Sequence, residues 1–323
     1  MMLRYAREPS PASTAMSTSI QESTLKSWRL PVFSILGAIS IVIWWGPLAS
    51  SFALALHDDQ YTHILLILPI SAALILQDWF LRDRIQDWKS PEPFSGITVS
   101  LGSALLVIAV LMTAVARWKA VPLAPDEQLS LNMLAFVLWW IAAFALCFGA
   151  RAFRRALFPL CFLFWMVPFP SFVLNPLVSL LQQGSAAAAR LLFAAAGVPV
   201  VQDGVLLSIP GLTVEVAREC SSIRSSLMLV VTTMLLAQLL LRSPWRKVVV
   251  VAAAIPLSVA KNGLRIFTIA MLGTRVDPGF LTGKLHHQGG IIFFLIALVV
   301  ILLLIWILRR SDDGKPRITM RGE

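Results

Sequence analysis

The sequence predicts an all-α protein, a polytopic bundle of about eight transmembrane helices. Hydrophobic residues make up 58% of the 323 residues and charged residues only 14%, whereas a soluble domain of this length carries far more charge. The apolar residues gather in runs long enough to cross a bilayer, which takes about 20 residues per helix. The net charge of +10 comes from basic residues in short loops between these runs, which is typical of topology signals and not of a nucleic-acid-binding surface.

The eight predicted spans are, in chain order, Leu30–Ala49, Tyr61–Phe80, Ile97–Ala116, Leu131–Phe148, Leu157–Val173, a run from just after Cys220 to Leu241, Val248–Leu272 and Ile291–Leu308. Pro168 and Pro170 break the fifth run near its end. Trp44 and Trp45, near the outer end of the first run, are typical of an interfacial aromatic belt. The chain thus divides into a disordered N-terminal segment 1–29, a transmembrane domain 30–308 and a basic tail 309–323.

Residues 175–197 are predicted to form an amphipathic helix that lies on the membrane surface and does not cross it. Ser179, Gln183 and Arg190 are spaced by four and seven residues, so their side chains share one helical face. Gly197 marks the end of this helix. In the segment that follows, short apolar groups alternate with turn dipeptides at 203–204 and 210–211. This pattern predicts a small β-hairpin or extended ribbon outside the bilayer.

The basic loops orient the predicted bundle. The basic segments are the N-terminus, the loops 82–89, 151–155 and 242–247, and the tail. They all fall on one side only if there are eight spans and the helix at 175–197 does not cross. Because basic loops stay in the cytoplasm, both termini are predicted to be cytoplasmic, and Cys220 and the loop 273–290 are predicted to face the periplasm.

Cys220 is the first of three polar features predicted to meet at the outer face. It lies at the start of the sixth span, where Ser221 and Ser222 can cap the helix. A helix N-terminus and a nearby cation both lower the pKa of a thiol. Arg224 supplies such a cation one turn further along the same face.

The second and third features are an arginine and a pair of histidines. Asn262 and Arg265 lie inside the apolar seventh span, and an arginine there needs a partner or a water-filled cavity. His286 and His287 come directly before the eighth span and supply a base near neutral pH. Together these residues predict a cysteine-nucleophile site, with proton transfer by histidine and charge stabilisation by arginine.

Simpler interpretations of the same residues remain open at this point. A cysteine in a membrane protein is more often inert packing, as expected for Cys147 and Cys161. The histidine pair could be interfacial or could bind a metal, but there is no third ligand at a familiar spacing. We therefore predict no metal and no cofactor. Arg265 could pair with an intramembrane acid, yet no Asp or Glu lies in the middle of any predicted span.

The order of these motifs resembles the exosortase/archaeosortase family of multi-pass membrane cysteine transpeptidases. The blocks that carry the resemblance are Cys220-Ser221-Ser222-Ile223-Arg224, Asn262-Gly263-Leu264-Arg265 and His286 with Gly290, flanked by Asp58–His63, Val167–Pro170 and Gly197–Val200. Ser222 stands where the family usually has glycine, and Ile291 where an aromatic residue often follows. These two departures concern the subfamily and its substrate more than the reaction.

The resemblance implies roles for particular residues. Cys220 would be the nucleophile that forms a thioester with the substrate, and His286 the general base and then acid. Arg265 would stabilise the oxyanion or the thiolate. The residues expected to support them are Arg224, Asn262, Ser221 and His287, with His287 also a competing base. His63 would line the access path of a substrate helix, although a structural hydrogen bond to a neighbouring loop explains it as well.

The resemblance also implies a function. The protein would cleave the C-terminal sorting signal of secreted proteins, of the PEP-CTERM type, at the outer face of the bacterial inner membrane and transfer them to an acceptor. Lipid, glycan and water are all open as acceptors, and no nucleic acid is implied. The alternatives are a multi-pass transporter, which predicts internal repeats and buried acids, and a non-catalytic component of polysaccharide export.

Overall fold

The computed structural model describes residues 29–81, 96–118, 120–216, 223–281 and 290–313. The chain divides into two compact units, Met1–Pro170 and Ser171–Glu323. Five helices in the described residues are long and apolar enough to cross a membrane, or up to seven if two interrupted helix pairs each count as one span. The all-α, polytopic fold is confirmed at this level, and the number eight stays a prediction. The predicted N-terminal segment before Arg29, the basic loop 82–89 and the tail beyond Asp313 lie outside the described residues.

All regular secondary structure in the described residues of the first unit is helical. Its α-helices are α1 Arg29–Ile43, α2 Trp45–His57, α3 Ile64–Leu81, α4 Gly96–Arg117, α5 Pro125–Arg155 and α6 Leu157–Phe162, with 3-10 turns at Asp59–Tyr61 and Leu163–Met166. The third and fourth predicted spans correspond to α4 and α5. The fourth was predicted to end at Phe148, and the next residue, Gly149, has φ +79° and kinks α5 there, because glycine alone adopts this backbone easily.

The first predicted span, Leu30–Ala49, falls on two helices joined by a bend. The chain bends by 73° between α1 and α2, at Trp44. Trp44 is 1% exposed and packs against Phe136 and Trp139 of α5, so it is a core residue and not a member of an interfacial belt. The guanidinium of Arg117 donates a hydrogen bond to the carbonyl of Ile43 at the bend. The bend is thus held by a buried aromatic ring and by a donor for a carbonyl that the broken helix leaves free.

The second unit contains α7 Ser171–Ala195, β1 Val201–Asp203, β2 Leu206–Ile209, β3 Leu212–Glu215, α8 Ile223–Leu240, α9 Pro244–Arg275 and α10 Gly290–Asp313. The predicted break at Pro168 and Pro170 is confirmed, because helical structure ends at Met166 and resumes at Ser171. The sixth, seventh and eighth predicted spans correspond to α8, α9 and α10.

The helix predicted at 175–197 is α7, which begins four residues earlier than predicted and ends at the predicted glycine. Gly197 has φ +70°, and the Val198 N–H donates to the Phe193 carbonyl at 2.9 Å, which is a Schellman cap. The predicted polar face is exposed, and Gln183 hydrogen-bonds to Ser179 on it. The opposite face is buried against α9 and the sheet. That α7 lies on the membrane surface stays a prediction.

Residues 201–215 form a three-stranded antiparallel sheet in the order β1-β2-β3. Asp203 pairs with Leu206 and Ile209 pairs with Leu212, so each turn is tight. Gly204 and Gly211 in the turns have positive φ, as the predicted turn dipeptides require. That this sheet lies outside the bilayer also stays a prediction.

Two hydrophobic cores hold the second unit together, and both include α9. One core joins α7 and the sheet to the last turns of α9, with Phe193, Leu207 and Ile266 among its members. The other joins α8, α9 and α10, with Leu229, Ala254 and Ile301 among its members. The polar segment of α9, which begins at Lys261, lies between the two sets of contacts.

Gly263 permits the close approach of α9 to α7. A Cβ atom on Gly263 would lie 2.5 Å from the Cβ of Ala188 and 3.0 Å from the nitrogen of Ala189. One helical turn earlier, a Cβ on Gly184 would lie 3.1 Å from Val259. Small residues on both helices therefore set the distance between α7 and α9.

We predict that Gly263→Ala destabilises the second unit by about 1–3 kcal/mol, because the added methyl group overpacks this contact. Unfolding of the purified protein in detergent measures the loss. Ala188→Gly in the same chain should restore part of the stability. Gly46→Ala is the matched control, since a Cβ there meets nothing within 4 Å. Equal stability of the Gly263→Ala and Gly46→Ala variants would contradict this packing.

Candidate active site

Helices α8, α9 and α10 form an up-and-down cluster, and three cross-links define it. Lys261 of α9 donates a hydrogen bond to Ser225 in the first turn of α8. Near the other end of α8, Lys247 donates to Gln238 at 2.7 Å. Arg246 of α9 donates to the carbonyl of Leu308, close to the end of α10. Helix α9 is therefore antiparallel to both neighbours.

These links bring three chain segments to the same level. From Arg246 to Arg265 α9 rises by about 28 Å, and from Leu308 back to Gly290 α10 rises by about 27 Å. The first turn of α8 is at this level as well, because Ser225 contacts Lys261, one turn before Arg265. The start of α8 therefore meets the segment 261–265 of α9 at one end of the cluster, and the rise of α10 places its start at about the same level.

The predicted site residues that the structure describes in this unit all lie at that end. Arg224 is exposed in the first turn of α8. Asn262 is 1% exposed, and Arg265 is half-buried one turn further along α9. The remaining predicted residues of the site, Cys220, Ser221, His286 and His287, lie outside the described residues.

Lys261 is a residue that sequence reasoning missed. It is 6% exposed, and its ammonium group reaches across to the hydroxyl of Ser225. The signal was present, because a lysine inside the predicted span Val248–Leu272 is as costly as Arg265. Lys261 directly precedes the Asn262–Arg265 motif and is not part of it, so the motif did not single it out.

His63 lies in the first unit, just before α3, and its surroundings account for it as a structural residue. It is 4% exposed, hydrogen-bonds through Nδ1 to the Gln60 carbonyl at 3.2 Å, and its ring meets the edge of Trp165. Burial lowers the pKa of His63 more than its hydrogen bonds to backbone raise it. A role on the substrate's access path stays a prediction.

The other two cysteines differ in their surroundings. Cys147 is buried in α5, as expected of a packing residue, whereas Cys161 is exposed on α6, and neither is disulfide-bonded. Within the described ranges no group of three His, Cys, Asp or Glu side chains could hold a metal ion.

The described structure defines a class of protein. It is a multi-pass membrane protein with buried and half-buried cations gathered at one end of a three-helix cluster, and such residues in a membrane helix mark a functional site.

The family follows from sequence comparison. The family model described as transmembrane exosortase matches residues 44–303 of the 323, and the chain belongs to this family. The matched region includes α8, α9 and most of α10. Exosortases are in general membrane cysteine transpeptidases that act on secreted proteins with C-terminal sorting signals. No curated protein and no solved structure matches the chain.

We predict that the first unit loses stability as the pH falls below about 6.5, the pKa of an unperturbed histidine. The pKa of His63 is depressed in the fold, so the unfolded chain binds the proton more readily and acid favours unfolding. Thermal unfolding in detergent between pH 7.5 and 5.5 measures this. His63→Asn keeps a donor for Gln60 and should reduce the fall in the midpoint by roughly 2–4 °C.

The control for this experiment is His57→Asn, since His57 lies in the same unit, is exposed and hydrogen-bonds to the Ala53 carbonyl of its own helix. If His63→Asn and His57→Asn have the same pH dependence as the wild type, His63 is not the titrating group.

Proposed function

We propose that this exosortase cleaves the C-terminal sorting signal of secreted proteins with Cys220 as its nucleophile, His286 as its base and Arg265 as its stabilising cation. One observation carries the proposal. The start of α8 contacts α9 one turn before Arg265, and α10 begins at about the same level. The three motifs belong to these same segments.

Only a few residues separate Cys220 from the start of α8 and His286 from the start of α10. This short spacing supports the assignment of the thiol and the imidazole to the same end of the cluster. Cys220 precedes the first residue of α8 by three positions, so its Cα can be at most about 11 Å from that of Ile223. His286 precedes Gly290 by four positions, which limits the corresponding distance to about 14 Å. Both residues therefore belong to segments that begin at about the level of Arg265.

The proposed reaction follows from these groups. The Cys220 thiol passes its proton to His286, and the thiolate attacks the carbonyl carbon of the scissile peptide bond. Arg265 stabilises the negative charge that develops on the carbonyl oxygen. His286 then protonates the leaving amine, so the C-terminal anchor departs and an acyl thioester remains. An acceptor amine or hydroxyl, or water, attacks the thioester and releases the thiol.

The basic residues of the same cluster support the sidedness of the proposal. Lys247 and Arg246 lie at the opposite end of α9 from Arg265, and Arg310 covers the ring of Trp306 near the end of α10. Basic residues concentrate on the cytoplasmic side of bacterial membrane proteins. The site would accordingly face the periplasm, at the outer face of the inner membrane, and both termini would be cytoplasmic.

The half-buried position of Arg265 also fits the proposed substrate. A sorting signal with an apolar C-terminal anchor arrives within the bilayer, so its scissile bond lies near the membrane boundary. A cation recessed into the helix cluster can meet a carbonyl oxygen there, in surroundings of low dielectric where its charge acts strongly.

We predict that Cys220→Ala abolishes processing of a secreted reporter with a C-terminal anchor, while Cys161→Ala, the matched control, processes at the wild-type rate. Arg265→Ala should lower the rate by about 10²–10³-fold, as the loss of an oxyanion donor does. Processing is measured by the change in reporter size in intact cells. Normal processing by Cys220→Ala would contradict the mechanism.

The base is tested in the same assay. His286→Ala should be inactive, and His287→Ala should retain most of the activity. The reverse result would move the base to His287 and leave the nucleophile assignment intact. If both single variants process at the wild-type rate, no histidine of this pair is the base.

A further inference from the structure

Lys261 is a buried cation to which the proposed reaction assigns no role. A lysine in an apolar helix normally extends its flexible chain until the ammonium group reaches water. Lys261 does not, because it is 6% exposed and donates a hydrogen bond to Ser225 on another helix. Within the described residues its partner is a hydroxyl and not a carboxylate, so the contact leaves its positive charge uncompensated.

The contact joins the two segments on which the proposed site depends. Ser225 follows Arg224 in the first turn of α8, and Lys261 precedes Asn262 in α9. The first turn of α8 is the point at which the chain leaves the Cys220 segment. A link at this turn therefore fixes where α8 begins relative to the Asn262–Arg265 motif.

The other side of the same turn of α9 is fixed by α7. Gly263 lies against the backbone of Ala188 and Ala189, with no room for a methyl group. Helix α9 is thus held between tight packing on α7 and a charged hydrogen bond to α8. These two contacts together fix the position of the backbone at Arg265, one turn beyond Lys261.

We propose that Lys261 is a positioning residue for the reaction, which holds the first turn of α8 against the Asn262–Arg265 turn and places a positive charge at that level. The proposal rests on the proposed function. The hydrogen bond to Ser225 sets the geometry. The positive charge favours an anionic thiol or oxyanion nearby.

Other charges act on the same region and must be separated from that of Lys261. The charged side chains on the described elements that pack around this part of α9, or on α9 beyond it, are Arg190 on α7, Asp203 and Glu215 in the sheet, Arg224 on α8, and Arg265 and Arg275 on α9. Since these are present in every variant of Lys261, a difference between variants reports on position 261 alone.

Three substitutions separate the hydrogen bond from the charge. Lys261→Met removes both, Ser225→Ala removes the acceptor and keeps the charge, and Lys261→Arg keeps a donor and the charge. Lys247→Met is the matched control, because Lys247 also joins α9 to α8, through Gln238, but at the opposite end of the cluster.

Two readouts are measured on the full chain. The first is the rate of reporter processing. The second is the rate of alkylation of Cys220 by iodoacetamide as a function of pH, in a chain that carries Cys147→Ala and Cys161→Ala so that Cys220 is the only thiol. Iodoacetamide reacts with the thiolate, so the midpoint of this profile reports the charge state of the thiol.

We predict that Lys261→Met slows processing at least tenfold and moves the midpoint of the alkylation profile to higher pH by about one unit, as the loss of one nearby charge does at intermediate dielectric. Lys261→Arg should restore the midpoint and most of the rate. Ser225→Ala should slow processing less than Lys261→Met and leave the midpoint in place, and Lys247→Met should match the wild type.

Two outcomes overturn the proposal. One is a Lys261→Met variant with the rate and profile of the wild type. The other is a variant that is slow but keeps the wild-type profile and is not rescued by arginine, which would make Lys261 only a packing residue. Failure of the proposed function is distinct, since it would appear as processing by Cys220→Ala whatever residue occupies position 261.

Discussion

The second unit depends on one constraint: α9 must carry Lys261, Asn262 and Arg265 at the level where its neighbours begin. A lysine or arginine in the middle of a membrane helix costs about 2.5–3.5 kcal/mol, and a hydrogen bond made by a charged group returns about 1.5–3 kcal/mol. The contact between Lys261 and Ser225 therefore offsets most of the burial cost of Lys261 but adds little net stability. The charged side chains of α9 therefore serve something other than stability, which we take to be the proposed reaction.

The length of α9 allows it to meet this constraint. It has 32 residues, against 18 in α8 and 24 in α10, so it continues for about 15 Å beyond Arg265. Helix α7 and the three-stranded sheet pack on this additional part through Phe193, Leu207 and Ile266. The polar turn is thus enclosed between two apolar cores, and Gly263 allows the enclosure to be close.

Much of this architecture could be predicted from the sequence, because long apolar runs dominate it. The runs that became α4, α5, α8, α9 and α10 needed no tertiary information. The bend at Trp44 could not be predicted, since it depends on burial of the indole against Phe136 and Trp139 of α5. An average of hydropathy along the chain cannot distinguish that tryptophan from one at the membrane interface.

The candidate site, too, could be predicted from the sequence only in part. The sequence motifs predicted Arg224, Asn262 and Arg265 as site residues, and the helix pairing brings their segments together, because Ser225 bonds to Lys261, 36 positions away. The partner of Lys261 could not be foreseen, because it depends on the register of α8 against α9. For His63 the sequence left an access-path role and a structural hydrogen bond open, and the structure shows a buried side chain that hydrogen-bonds to Gln60.

The convergence of the starts of α8 and α10 beside Arg265 is the central claim, and a disulfide tests it directly. His286→Cys is introduced into a chain with Cys147→Ala and Cys161→Ala, and copper phenanthroline is used to oxidise the membranes. Convergence predicts rapid formation of a disulfide between Cys220 and the new cysteine, because such a bond requires Cα atoms within about 7 Å. Leu308→Cys, at the other end of α10, should form none. A disulfide with residue 308, or none with residue 286, would contradict the account.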